Sequence, residues 1–190
     1  VYCARKFVFS KNNIDICTIK SITQSNTMRH FVSYFNDSVK AHWDLPAVTN
    51  FGKKTYTYGQ MAEQIAKYHI LFSEAGIKKG DKVALYARNS AEWVIAYFAT
   101  LTYEAVSVPF LPDFIPAAVA ELGAFSECKL LIADDIAINN LKEDEKYIKQ
   151  LESTKGFAGI INVKDISVSL ATDKALAAAH DAIDEHYAKL

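Results

Sequence analysis

The side chains able to do chemistry in this 190-residue chain are few and scattered. Five histidines, His30, His42, His69, His180 and His186, have no cysteine or carboxylate neighbours at the spacing a zinc site needs. Each reads as a helix-surface or half-buried residue. Asp134-Asp135 follows the apolar run Lys129–Ala133, and a carboxylate pair at a strand end is a common source of metal ligands in α/β proteins. Capping the following helix explains the pair equally well and is the preferred reading. Ser126 lies in no Gly-x-Ser-x-Gly elbow and has no obvious histidine partner, so it lacks the setting of a nucleophile. Phosphate binding needs a loop whose backbone N–H groups converge on an anion, usually rich in glycine. Gly76–Asp81 is the glycine-bearing candidate, but its lysines precede the second glycine. No Gly-Lys-Ser/Thr or Gly-x-Gly-x-x-Gly follows a strand, so a solvated turn fits better. Trp93, Tyr97 and Phe98 could line a pocket, yet aromatics at helical spacing more often form core. The loop Phe110–Phe114 offers further aromatic side chains with nothing to tie them to a ligand. The residues themselves thus yield no catalytic, cofactor-binding or metal-binding assignment.

Those candidates sit on elements that the apolar pattern defines. Gly76–Pro109 is the organising stretch and reads as turn, strand, helix, strand. Val83–Ala87 is a short apolar run of buried-strand type. Asn89 with Glu92 three residues on gives a capping pattern. The helix Trp93–Leu101 is apolar nearly all round, which predicts burial on more than one side. Val106–Val108 forms the next strand and Pro109 stops it. The unit is βαβ, with parallel strands. Upstream, Asn26 or Thr27 is a candidate cap for a helix over Arg29–His42, with Phe31, Phe35 and Val39 as its stripe. Ala47–Phe51 and Lys54–Thr57 pattern as a hairpin around Gly52-Lys53. Thr57 with Gln60 makes a capping box, and Met61, Ile65, Tyr68 and Phe72 line the helix that Gly76 ends. Downstream, Pro116 opens a helix through Ala124, Lys129–Ala133 is a third parallel strand, and one helix runs from Asp134 towards Leu151. Gly156 and Gly159 bracket a turn before a fourth strand, Ile160–Val163. Asp173 opens a last helix whose face includes Leu176, Ile183, Tyr187 and Leu190. The expected fold is α/β: a small doubly wound, mostly parallel sheet with helices on both faces, and a hairpin near the N-terminus.

Composition bounds the rest. Hydrophobic content of 51% and aromatic content of 12% supply a core and argue against disorder. A net charge of -1 leaves no basic footprint for nucleic acid and no polybasic membrane signal. No apolar run reaches the length of a membrane span. Cys3, Cys17 and Cys128 are odd in number and far apart, which suits a reducing cytoplasm.

The string G-x-x-K-G-D-K-V-A from Gly76, then N-S-x-E-W from Asn89, then A-V-x-V-P from Ala105 resembles the N-terminal subdomain of the adenylate-forming acyl-CoA synthetases. Thr57–Met61 is similar to that family's threonine-aromatic start of a long helix, and Ser126–Ile132 to its serine-then-strand segment. Gly159–Asn162 and the last helix resemble the long-chain fatty acid–CoA ligase branch. The likeness covers about Met28 to Leu190, which divides the chain into an extension, 1–27, and an α/β subdomain, 28–190. For the extension, a strand pair packed on the domain edge is the competing reading.

The resemblance implies a ligase in which a carboxylate attacks the α-phosphate of ATP to give an acyl-adenylate and pyrophosphate. Coenzyme A thiol then displaces AMP, with Mg²⁺ on the phosphates. It also explains the missing site. The family's phosphate loop, of the type T-S-G-T-T-G-x-P-K-G, its tyrosine-glycine-x-threonine-glutamate segment, its acidic ribose ligand and its C-terminal lysine do not occur here. All are expected beyond Leu190, so the chain reads as an inactive scaffold piece of a longer enzyme, with no ligand of its own. Its expected partners are the remainder of that enzyme and a fatty acid, with homodimerisation through the bared face. The expected location is the cytoplasm, with peripheral contact at the inner face of the membrane for the whole enzyme. Glu104 falls where the family usually has glycine, which questions the local backbone. Phe125 replaces a common histidine, with an expected effect on packing alone. Two other classes stay open: a free-standing nucleotide-binding module, and a non-enzymatic interaction domain.

Overall fold

The structure is a computed structural model that describes residues 30–172, 174–179 and 183. The chain opens with α1 (Phe31–Ala41), which buries Val32, Phe35 and Val39. Its cap is His30, whose Nδ1 accepts from the Val32 amide at 3.3 Å; Asn26 and Thr27 lie outside the described residues. Phe31, expected in the buried stripe, is instead 53% exposed. The hairpin follows as β1 (Pro46–Thr49) and β2 (Thr55–Thr57), antiparallel. Thr57 and Gln60 form the expected capping box at the head of α2 (Tyr58–Glu74), and Gly76, at φ 67°, ends that helix.

The main sheet has five strands: β3 (Lys82–Tyr86), β4 (Val106–Pro109), β5 (Leu130–Ala133), β6 (Gly159–Asn162) and β7 (Val168–Ala171). Their spatial order is β4-β3-β5-β6-β7, parallel throughout except for β7. The antiparallel β7 was not foreseen, although Ile166-Ser167-Val168-Ser169-Leu170 alternates apolar and polar residues as a half-buried strand does. β3 connects to β4 through α3 (Ala91–Thr102), and β4 to β5 through α4 (Pro116–Phe125). The link from β5 to β6 was expected to be one helix. It is two, α5 (Asp135–Lys142) and α6 (Glu145–Glu152), because Asp144 caps a second start by accepting from the Lys146 amide.

β5 and β6 are buried at every position, as a parallel sheet covered on both faces requires. Alternate residues feed two cores. Val83, Leu85, Leu130, Ile132 and Ile161 pack with α2 and α3 on one face, where Leu176 and Ala179 of the helical residues 174–179 also lie. Ala84, Tyr86, Leu131, Ala133 and Ile160 pack with α4, α5 and α6 on the other. The order of strands reverses direction after β4, and a fixed crossover hand then puts the later helices on the opposite face. Asp173, Tyr187 and Leu190, named for the last helix, lie outside the described residues.

Candidate functional site

In doubly wound sheets ligands settle at the carboxyl ends of the strands where the order reverses, here between β3 and β5. The loop Ala87–Ser90 and the Asp134-Asp135 pair meet there. Asp134 fills the gap itself. One carboxylate oxygen accepts from the Ala137 amide at 2.9 Å and caps α5; the other accepts from the Arg88 amide at 3.0 Å. Asp135 accepts from Asn162 Nδ2 and lies 3.6 Å from Lys164 Nζ. Both carboxylates therefore have protein partners, the capping role holds for Asp134, and no group of three metal-ligating side chains occurs among the described residues.

The Gly76–Asp81 turn is likewise self-contained. Lys78 donates its amide to Asp81 Oδ2 at 2.8 Å, Asp81 donates to the Lys78 carbonyl, and Gly80 donates to the Glu104 carbonyl. The Lys78 amide is thus taken by a carboxylate, and β3 follows directly at Lys82.

The other candidates are apart from one another. Ser126 is the C-cap of α4, its hydroxyl directed at the Leu122 carbonyl. Cys128 is buried beside it at 3.1 Å, and burial raises its thiol pKa. His42 rings with Tyr58 at the surface; His180 and His186 lie outside the described residues. His69 departs from its expected place at or near the surface. It is buried between α2 and α3, its Nε2 3.1 Å from the Ala99 carbonyl and 3.0 Å from Thr102 Oγ1. Thr102 donates its own proton to the Phe98 carbonyl at 2.7 Å, so Nε2–H of the imidazole is the donor to it. Burial pushes the His69 pKa down to about 4 despite the Ala99 bond. This is a neutral structural histidine.

Trp93, Tyr97 and Phe98 are half-buried on the outer side of α3. Trp93 stacks on Tyr97 at 5.4 Å, and Phe98 stacks on Phe35 at 4.1 Å and Phe31 at 5.3 Å. Phe98 thus packs α1 on α3, and Tyr97 meets Phe98 edge-on beside it. In the loop Phe110–Phe114, Phe110 is buried and the Phe114 carbonyl accepts from Tyr86 Oη at 2.6 Å.

One cluster escaped sequence reasoning. Glu92 is not the capping partner of Asn89. Ser90 caps α3 by accepting from the Trp93 amide at 3.0 Å, one residue later than expected. Glu92 turns to the hairpin, where Asn50 Nδ2 donates at 2.8 Å and Tyr56 Oη at 2.7 Å. Asn50 Oδ1 also accepts from the Ala91 amide at 2.7 Å, so it caps α3 from 41 residues away. Burial pushes the Glu92 carboxyl up, but the Asn50 and Tyr56 hydrogen bonds outweigh that and hold it below its usual range. Burial and the Glu92 carboxylate together raise the Tyr56 phenol. The cleft beside them, about 10 Å³, has room for about one water and none for a nucleotide. No local signal marks these partners, because 36 and 42 residues separate Glu92 from them.

The family profile described as AMP-binding enzyme matches residues 35–184. The chain belongs to that family of AMP-binding enzymes. It is similar to the long-chain-fatty-acid–CoA ligase heimdall of Drosophila melanogaster, 26% identical over 122 residues, which is 60% of this chain and 18% of that protein. It is also similar to the acetyl-coenzyme A synthetase of Photobacterium profundum, 36% identical over 81 residues, 43% of this chain and 12% of that protein. The chain thus spans less than a fifth of either relative. A mutant form of coronafacic acid ligase from Pectobacterium brasiliense superimposes with a TM-score of 0.61 at 22% identity, over 70% of this chain and 25% of that one. At that identity the likeness is one of fold. It agrees with the expected α/β subdomain. Among the described residues, no side chain or turn fits the ATP or Mg²⁺ that the family resemblance implies. The amides and carboxylates placed to hold them already hold each other.

Proposed function

We propose that the chain is the scaffold part of an ATP-dependent, AMP-forming acid–thiol ligase that joins a long-chain fatty acid to coenzyme A. The observation that carries this reading is the family match across residues 35–184. The fatty-acid assignment draws on the Drosophila ligase, whose similarity extends over more of this chain than that to the acetyl-CoA synthetase. On this reading residues 28–190 buttress a sheet, while the nucleotide, its Mg²⁺ and coenzyme A are held by residues elsewhere in the enzyme, C-terminal to Leu190. Residues 1–27 are an extension. The enzyme works in the cytoplasm. No helix among the described residues is long and apolar enough to cross a membrane.

The test is ATP–pyrophosphate exchange by the 190-residue chain with acetate and with palmitate, alongside calorimetric titration of ATP and AMP. No exchange and no nucleotide heat are expected. Clear exchange refutes the scaffold role. Heat without exchange favours a free-standing nucleotide-binding module. Coding sequence past Leu190 should supply a glycine- and threonine-rich loop, and its absence would remove the ligase assignment.

A further inference from the structure

We propose that the tip of the β1–β2 hairpin, Phe51 with Lys53 and Lys54, is a contact site for an anionic lipid surface. A lone exposed phenylalanine is ordinary on a protein. Three observations set this one apart. First, Phe51 is wholly exposed, at 102% of its reference area, on the turn of the hairpin, beside Gly52 at φ 66°. Second, charge at the tip has one sign. Residues 45–62 contain no aspartate or glutamate, and Lys53 and Lys54 are both exposed. Lys54 Nζ lies 4.1 Å above the Tyr56 ring, and neither lysine has a carboxylate partner among the described residues. The acid beneath the hairpin, Glu92, is half-buried and engaged by Asn50 and Tyr56. Third, the tip is held rather than loose. Asn50 and Lys54 close the turn through the Asn50 amide and the Lys54 carbonyl at 3.0 Å, and the Asn50 side chain is fixed to α3.

An apolar wedge flanked by cations matches a bilayer whose headgroups are negative and whose interior is apolar. An acidic protein groove would match the lysines but leave the wedge without a purpose-shaped recess. Phe125, 85% exposed at the end of α4, offers the contrast. Glu121 and Glu127 flank it on the surface, so it has no charge match to such a membrane. With one aromatic ring and two lysines the contact is weak and reversible, suited to orienting the protein rather than anchoring it. It does not rest on the ligase reading, because the assay contains no substrate.

The test is co-sedimentation of the 190-residue chain with phosphatidylcholine vesicles, with and without about 30% phosphatidylglycerol, at low and high salt. The parent chain should pellet with the anionic vesicles only, and less as salt rises. Phe51→Ser should weaken partitioning about tenfold or more, Lys53→Glu with Lys54→Glu should abolish it, and Phe125→Ser should leave it unchanged. Phe51→Ser changes a wholly exposed side chain, so its circular dichroism melt should match the parent's. Lys54→Glu also gives up the Lys54–Tyr56 contact, so the double lysine variant should stay folded and melt within a few degrees of the parent. Phe51→Trp should add a blue-shifted emission on anionic vesicles alone. No pelleting of the parent at low salt, equal pelleting of the tip variants, or binding indifferent to the anionic lipid would each overturn the proposal. Capture by an acidic protein without vesicle binding would overturn it in favour of a protein partner.

Discussion

Glu104 sits at φ 63° in the turn between α3 and β4, the left-handed region where a side chain costs about 1 kcal/mol that glycine does not. Its compensation is an exposed ion pair, Lys79 Nζ to Glu104 Oε1 at 3.1 Å, which contributes little. Glu104→Gly should therefore raise stability by about 0.5–1 kcal/mol, read as a higher urea midpoint with an unchanged slope. His69 makes the opposite demand, on pH. Its folded pKa, about 4, lies below the ordinary 6.5, so its contribution is whole above the higher value and is lost as pH falls through 6.5 towards 4. Between about pH 7 and about pH 5 the chain should lose about 2 kcal/mol, measured by urea unfolding. His69→Gln should flatten that limb. Glu92 adds acid lability of the same sign, but in a lower window, below its ordinary 4.5.

At the scale of elements, the hairpin and α3 form one unit through Asn50. Its amide group satisfies the Ala91 N–H and one Glu92 oxygen together. Asn50→Ala leaves both without their partner in a half-buried place, so a loss of about 1–3 kcal/mol is expected. In a chain of this size that lowers the melting temperature by about 2–4 °C per kcal/mol, measurable by calorimetry. A mere turn residue would leave the melt in place. The division of α5 from α6 follows the same logic of caps. Asp144 draws the Lys146 amide and Lys146 Nζ at 2.6 Å, so a charged stretch that reads as one helix is reset after Lys142.

For the whole molecule, the five-stranded sheet ends among the described residues at the antiparallel β7 on one side and at β4 on the other, and β4 is only partly buried along its length. Val106, Leu111, Ile115, Leu122 and Phe125 are exposed on β4, the loop after it and α4. An open edge beside apolar side chains invites pairing. The 190-residue chain should self-associate as its concentration rises, seen by light scattering after size exclusion. Val106→Lys should shift it towards monomer. A constant monomer mass in both would show that the edge is adequately guarded as it stands.

The sequence by itself determined the alternation of strands and helices, the capping box at Thr57, the Pro116 helix start and the glycine stop at Gly76. Each is a local pattern, read within a few residues. The strained Glu104 position was also visible, as a non-glycine residue at a glycine place. Tertiary structure decided what depends on distant partners. It turned Glu92 from a helix cap to the hairpin, moved the cap to Ser90, sank His69 between two helices, and paired β7 with β6. It also gave Asp134 two amides from opposite sides of the switch point. A carboxylate or an imidazole takes its role from the donors and acceptors around it, and here those lie tens of residues away along the chain.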